Sequence, residues 1–125
     1  MSSLGTGADL TPEDAHNLLN KLMTESTKVQ AVLSTPSGLK AGAIGVVVPA
    51  PNGTVGVVSD PKVIPPLTFL FFNPALAVRR KYGDTRAFPA HRTRDIPGAP
   101  RILSALSFVF RDESQVTLFE LDSGE

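Results

Sequence analysis

Asn52-Gly53 constrains this chain more than any other two residues. The pair sits in PAPNGT, between the valine-rich segments GVVV (45–48) and GVVS (56–59). Asn and Gly both reach positive φ at low cost, as the two central positions of a type I′ turn require, and such a turn joins antiparallel strands. A two-residue loop here predicts a hairpin with Val48 opposite Val57. The likeness of the two valine segments then reflects two arms that meet the same packing, not a repeat architecture.

Further strands follow from period-two patterning. In KVQAVLS, Val29, Ala31 and Leu33 fall on one face and Lys28, Gln30 and Ser34 on the other, with Val32 interrupting. A turn is expected at TPSG (35–38). LKAGAIGVVV then carries Gly42 and Gly45 inside a strand pattern, which suggests bending or a close backbone approach. LTFLFFN (67–73) places Leu67, Phe69 and Phe71 one way and Leu70 and Phe72 the other. A strand apolar on both faces is first expected to be a central core strand and, second, to feed a subunit contact. RILSALSFVF and QVTLFEL flank the polar turn RDES and read as a last hairpin.

One segment departs from this pattern. In TPEDAHNLLNKLMTE (11–25), Thr11 can cap a helix, Pro12 suits its first position, and Glu13 and Asp14 favour the positive end of its dipole. Ala15, Leu18, Leu19, Leu22 and Met23 make one apolar stripe. The expected fold is therefore mainly β: a small, strongly bent antiparallel sheet or barrel with one N-terminal amphipathic helix. With 125 residues, 42% of them hydrophobic, the chain can bury one core and reads as a single domain. Its expected margins are a flexible stretch at 1–10 and an acidic tail at 122–125.

Several chemistries are disfavoured. The chain has no cysteine, which removes disulfides, thiolate metal sites and cysteine nucleophiles. Its two histidines, His16 and His91, fall on the helix and on a distant loop, so no metal site is expected and His16 reads as a surface residue. Gly5-Thr6-Gly7 has no strand before it, and GAIG lies inside a strand, so neither is read as a phosphate or backbone clamp. No cofactor and no catalytic residue is expected. Asn52-Gly53-Thr54 matches a glycosylation sequon, but MSSLGTGADLTPEDAH lacks the basic start and apolar stretch of a secretory signal, so a cytoplasmic protein is expected. The longest apolar run, VIPPLTFLFF, is too short to cross a membrane and contains two prolines.

The remaining signal is charge. Arg79, Arg80, Lys81, Arg86, Arg92, Arg94 and Arg101 stand against Asp84 and Asp95, giving +5 within a neutral chain and leaving −5 elsewhere. The molecule should be polarised if this segment, a basic insertion or loop over 73–101, gathers on one face. NPALAVRRKYG reads as a short helix capped by Asn73 and ended by Gly83; LAVRRKYGDTRAF reads equally as a hairpin. FPAHRTRDIPGAP (88–100) reads as an extended loop, which with His91 and Arg92 could cover a small anion.

Arginine grips phosphate or carboxylate in a bidentate way, and Tyr82 and Phe88 are interleaved as rings on which bases can stack. The candidate nucleic-acid or polyanion site is therefore Arg79, Arg80, Lys81, Tyr82, Arg86, Arg92 and Arg94. The rival reading is an assembly or scaffold module in which the same arginines pair with acidic patches of a partner protein or of a neighbouring subunit in a homo-oligomer, and Phe69 to Phe72 lie near the contact.

The helix followed by VLSTPSGLKAGAIGVV resembles the opening of the Sm-like family of small, SH3-like barrels. Over residues 11–60, Val29, Leu33, Gly38 and Gly42 stand at comparable places, in a strand, glycine turn and long glycine-bent strand. The resemblance implies a ring-shaped homo-oligomer that binds single-stranded RNA. The family's second motif is not recognisable in this chain, where the basic segment stands instead.

Overall fold

Thr11 opens the helix as its residue type requires: its Oγ1 accepts a hydrogen bond from the Asp14 backbone N–H at 3.1 Å, and Pro12 takes the first helical position of α1 (Pro12–Thr24). The computed structural model describes residues 8–25, 27–59, 65, 67–83 and 102–122. Along α1, Ala15, Leu19 and Leu22 are buried, so the apolar stripe faces inward as its spacing predicts.

Among the described residues eight strands form one antiparallel sheet: β1 (Ala8–Asp9), β2 (Lys28–Thr35), β3 (Gly38–Pro49), β4 (Val55–Val58), β5 (Thr68–Phe72), β6 (Arg79–Gly83), β7 (Ile102–Val109) and β8 (Gln115–Leu121). Their order across the sheet is β1-β6-β7-β8-β2-β3-β4-β5. The protein is thus mainly β with one helix among the described residues. Among those residues no ladder joins β5 to β1, so the sheet is open and not a closed barrel.

The sheet is nevertheless rolled. Laid flat, β5 and β6 would stand six strand spacings apart, about 29 Å. The chain from Phe72 to Arg79 reaches at most about 24 Å when fully extended, and part of it is wound into a 3-10 turn at Pro74–Leu76. Curling resolves the mismatch by bringing the two ends of the sheet towards each other. Inside the roll, Val29 and Ala31 of β2, Val47 of β3, Val55 and Val57 of β4, Phe72 of β5, Leu106 and Phe108 of β7, and Val116 and Leu118 of β8 pack with α1 in one cluster. A second cluster of Val32, Ile102, Ala105, Phe119 and Leu121 occupies the opposite face, so β2, β8 and β7 are buried on both sides.

Gly45 helps the roll to close. A Cβ there would overlap the backbone carbonyl of Val58, so only glycine lets β3 and β4 approach as they do. Gly42 is under no such constraint: a Cβ would lie 3.6 Å from its nearest neighbour, ordinary contact.

Three expectations need correction. The hairpin after β3 pairs Val47, not Val48, with Val57. Asn52 (φ 63°) and Gly53 (φ 76°) do adopt the expected positive φ, but a two-residue loop would need Pro51 to donate an N–H to the Thr54 carbonyl, and proline has none. Ala50 N donates to that carbonyl instead, at 3.0 Å, and Thr54 N bonds the Pro51 carbonyl at 3.2 Å, so the loop holds three residues and the register moves by one.

Among the described residues β5 is the terminal strand of the sheet, not a central one. A bulge opposite Val57 and Val58 also turns Phe69 towards the inner cluster with Leu70, where strict alternation would have kept it beside Phe71. The segment 73–83 is not one helix, and the second arm of the expected hairpin, from Asp84 to Phe88, lies outside the described residues. Asn73 does cap a turn, its Oδ1 accepting from Ala75 N at 3.0 Å, but the turn lasts three residues before β6 begins. The last hairpin and the turn at TPSG form where expected.

Candidate functional site

Strand alternation divides the basic run on β6. Arg79 and Lys81 are exposed on the outer face. Arg80 and Tyr82 turn inward: the Arg80 guanidinium Nη2 donates to the Pro74 carbonyl at 3.0 Å, and the Tyr82 ring packs against the inner cluster. Tyr82 therefore stands on the opposite side of the strand from Arg79 and Lys81. Arg86, His91, Arg92, Arg94 and Arg101 lie outside the described residues, as do Asp84, Phe88, Asp95 and the loop 88–100.

Arg80 lines a recess together with residues far from it in sequence. This recess of about 380 Å³ lies between α1, the β3–β4 turn, the 3-10 turn and β6, lined among others by Ala15, His16, Leu19, Pro74 and Arg80. His16 is exposed, as expected, and its Nε2 lies 3.2 Å from the Asn20 amide nitrogen.

A second cavity opens at one end of the roll, where β5 approaches the β7–β8 turn. It measures about 500 Å³, within the range typical of small-molecule sites. Leu33, Leu70, Phe71, Phe72, Leu76, Phe110 and Val116 supply its apolar lining; most of these belong to or pack against the inner cluster, so the cavity is the mouth of the rolled interior. Asn73, Arg111, Asp112 and Ser114 supply its polar groups.

The β7–β8 turn fixes how those groups are presented. Phe110 N donates to the Ser114 carbonyl, Glu113 N donates to the Phe110 carbonyl, and Glu113 takes the left-handed conformation (φ 69°) usual before a bulge in such turns. The Asp112 carboxylate bends back onto the turn and accepts from the Ser114 hydroxyl at 2.6 Å and from Ser114 N at 2.9 Å. The hydroxyl bond first, then the backbone bond, hold the Asp112 carboxyl below its ordinary range. Arg111 beside it is exposed and forms no hydrogen bond or ion pair among the described residues.

Large apolar side chains also reach solvent near the cavity. Leu67, Phe71, Leu76 and Val78 are each more than half exposed, and three of the four lie on or flank β5 and the turn after it. Phe71 lies over Gly56 on the neighbouring strand, where a Cβ would come within 2.9 Å of the ring.

Among the described residues no group of three His, Asp or Glu side chains could hold a metal ion, and no helix is long and apolar enough to cross a membrane. Comparison with known protein families, with curated proteins and with solved structures returned no match. The class of the protein therefore rests on its own geometry: a rolled, open antiparallel sheet with one packed helix, an apolar terminal strand and an apolar mouth.

Proposed function

We propose that this chain is a non-enzymatic, cytoplasmic assembly module whose rolled sheet acts as a small barrel with an open seam and pairs with a second copy along β5. The observation that carries this reading is the terminal position of β5. Its sequence, TFLFF, holds no charge and no proline, the devices that keep edge strands from pairing. Phe71 at 61% and Leu67 at 65% exposure flank its free side with apolar surface. A second copy offers the same uncharged edge, so two β5 strands can meet antiparallel about a two-fold axis without like-charge repulsion. Light scattering tests this: the wild-type chain is expected at twice the monomer mass of 13.2 kDa, and Phe71→Lys, at an exposed position that the fold tolerates, at the monomer mass. A monomeric wild type overturns it.

A second reading is favoured by Arg79 and Lys81, two exposed cations on one face of β6. In that reading they bind a polyanion such as single-stranded RNA, together with Arg86, Arg92 and Arg94. Anisotropy titration with a labelled single-stranded RNA then shows affinity that falls steeply with salt, and Arg79→Glu with Lys81→Glu abolishes it. Affinity indifferent to salt rules this reading out.

A further inference from the structure

We infer that the mouth of the rolled sheet is a binding site for a single-chain amphiphile with a monoanionic head, such as a medium-chain carboxylate. This goes beyond pairing at β5 and uses the inward side of the sheet. The cavity has the two parts that such a ligand needs. Its wall is built from Leu33, Leu70, Phe72, Phe110 and Val116, side chains that belong to or pack against the interior cluster, so an alkyl chain entering it is taken out of water among apolar atoms. Arg111 stands at its edge, exposed and free of any ion pair among the described residues.

The neighbouring carboxylate forms no ion pair with that guanidinium and bonds Ser114 instead. Asp112 is drawn onto Ser114 by two hydrogen bonds of 2.6 and 2.9 Å, both to its Oδ1, which hold the carboxylate against its own turn. Arg111 thus retains its planar fork of donors for a ligand carboxylate. Arg111 is the one cation among the described residues that line the cavity, and Asp112 beside it keeps its negative charge, so the lining offers its donor fork to a head of a single carboxylate.

The test is titration of the full chain with decanoate, decyltrimethylammonium and decanol, each below its micelle concentration, followed by isothermal calorimetry and backbone amide shifts. Saturable decanoate binding is expected, with shifts at Leu33, Leu70 and Phe110 and with affinity at least about fivefold above that of the decyl cation. Arg111→Gln, on an exposed turn, is expected to remove that preference while leaving decanol binding in place; Asp112→Asn strengthens decanoate binding. Lack of saturable decanoate binding overturns the assignment. So do equal affinities for the anionic and cationic heads, shifts confined to other surfaces, or an Arg111→Gln variant that keeps the preference.

Discussion

The rings of Phe72 and Phe108 lie 5.2 Å apart, inclined at 50°, although their strands stand five places apart in the sheet. In a flat sheet that separation would be about 24 Å. The contact is therefore made across the interior of the roll, and Phe110 adds an edge-on contact to Phe72 at 6.5 Å. Phe108 is fully buried, so Phe108→Ala is expected to cost about 3–5 kcal/mol in urea unfolding. A double-mutant cycle with Phe72→Leu and Phe108→Leu should give a coupling of about 0.5–1.5 kcal/mol. Zero coupling would mean that the two ends of the sheet do not meet.

Gly45 and Gly42 separate two reasons for glycine in one strand. Gly45→Ala drives a Cβ into the Val58 backbone and is expected to destabilise by about 3 kcal/mol, because neither strand can yield without breaking its ladder. Gly42→Ala meets only ordinary contact and should lie within about 0.5 kcal/mol of wild type. Equal effects in thermal unfolding would contradict the close approach of β3 to β4.

Gln30 sits on β2 at 5% exposure, and its Oε1 has no hydrogen-bond partner among the described residues. The neighbouring buried polar groups satisfy one another: Ser107 and Thr117 share a bond of 3.0 Å, and Gln115 reaches Thr117 at 3.1 Å. Gln30→Met removes the orphaned acceptor at similar volume and should stabilise the fold by about 1 kcal/mol. A loss of stability of that size would show that Gln30 is satisfied in solution.

Asp112 titrates below the ordinary carboxylate range because the folded turn donates two hydrogen bonds to its charged form. A depressed pKa favours the folded state above the unfolded-state value near about 3.9, and that contribution is lost as pH falls through the folded-state value. Ser114→Ala removes the larger cause and is expected to raise the Asp112 pKa towards the ordinary range in a carboxyl-detected NMR titration. An unmoved pKa would place the cause elsewhere.

Legibility in the sequence followed the range of the interaction. α1 could be read to its cap because Thr11, Pro12 and Asp14 act within one turn of each other. β2, β7 and β8 could be read because alternation is local to a strand. The rank of β5 could not: TFLFF is equally apolar whether a neighbour covers it or not, and only the order of all eight strands decides. The β3–β4 register failed by one residue on a single missing N–H, at Pro51, which turn statistics centred on Asn52-Gly53 do not weigh. Of the site, Arg79 and Lys81 were visible as charge. The mouth was not, since Leu33, Phe72 and Phe110 meet only through the roll, and Arg111 was one cation in a short polar turn. The signal that was available is modest: an arginine in a turn flanked by Phe110 and, three residues on, Ser114.

Pairing at β5 is tested most directly by amide hydrogen exchange along Thr68–Phe72 as a function of protein concentration. The account predicts that the outward-facing amides of β5 are protected, and that their protection falls on dilution while that of β2 and β8 stays constant. Exchange of those amides at the rate of open backbone, unchanged from dilute to concentrated protein, would contradict it.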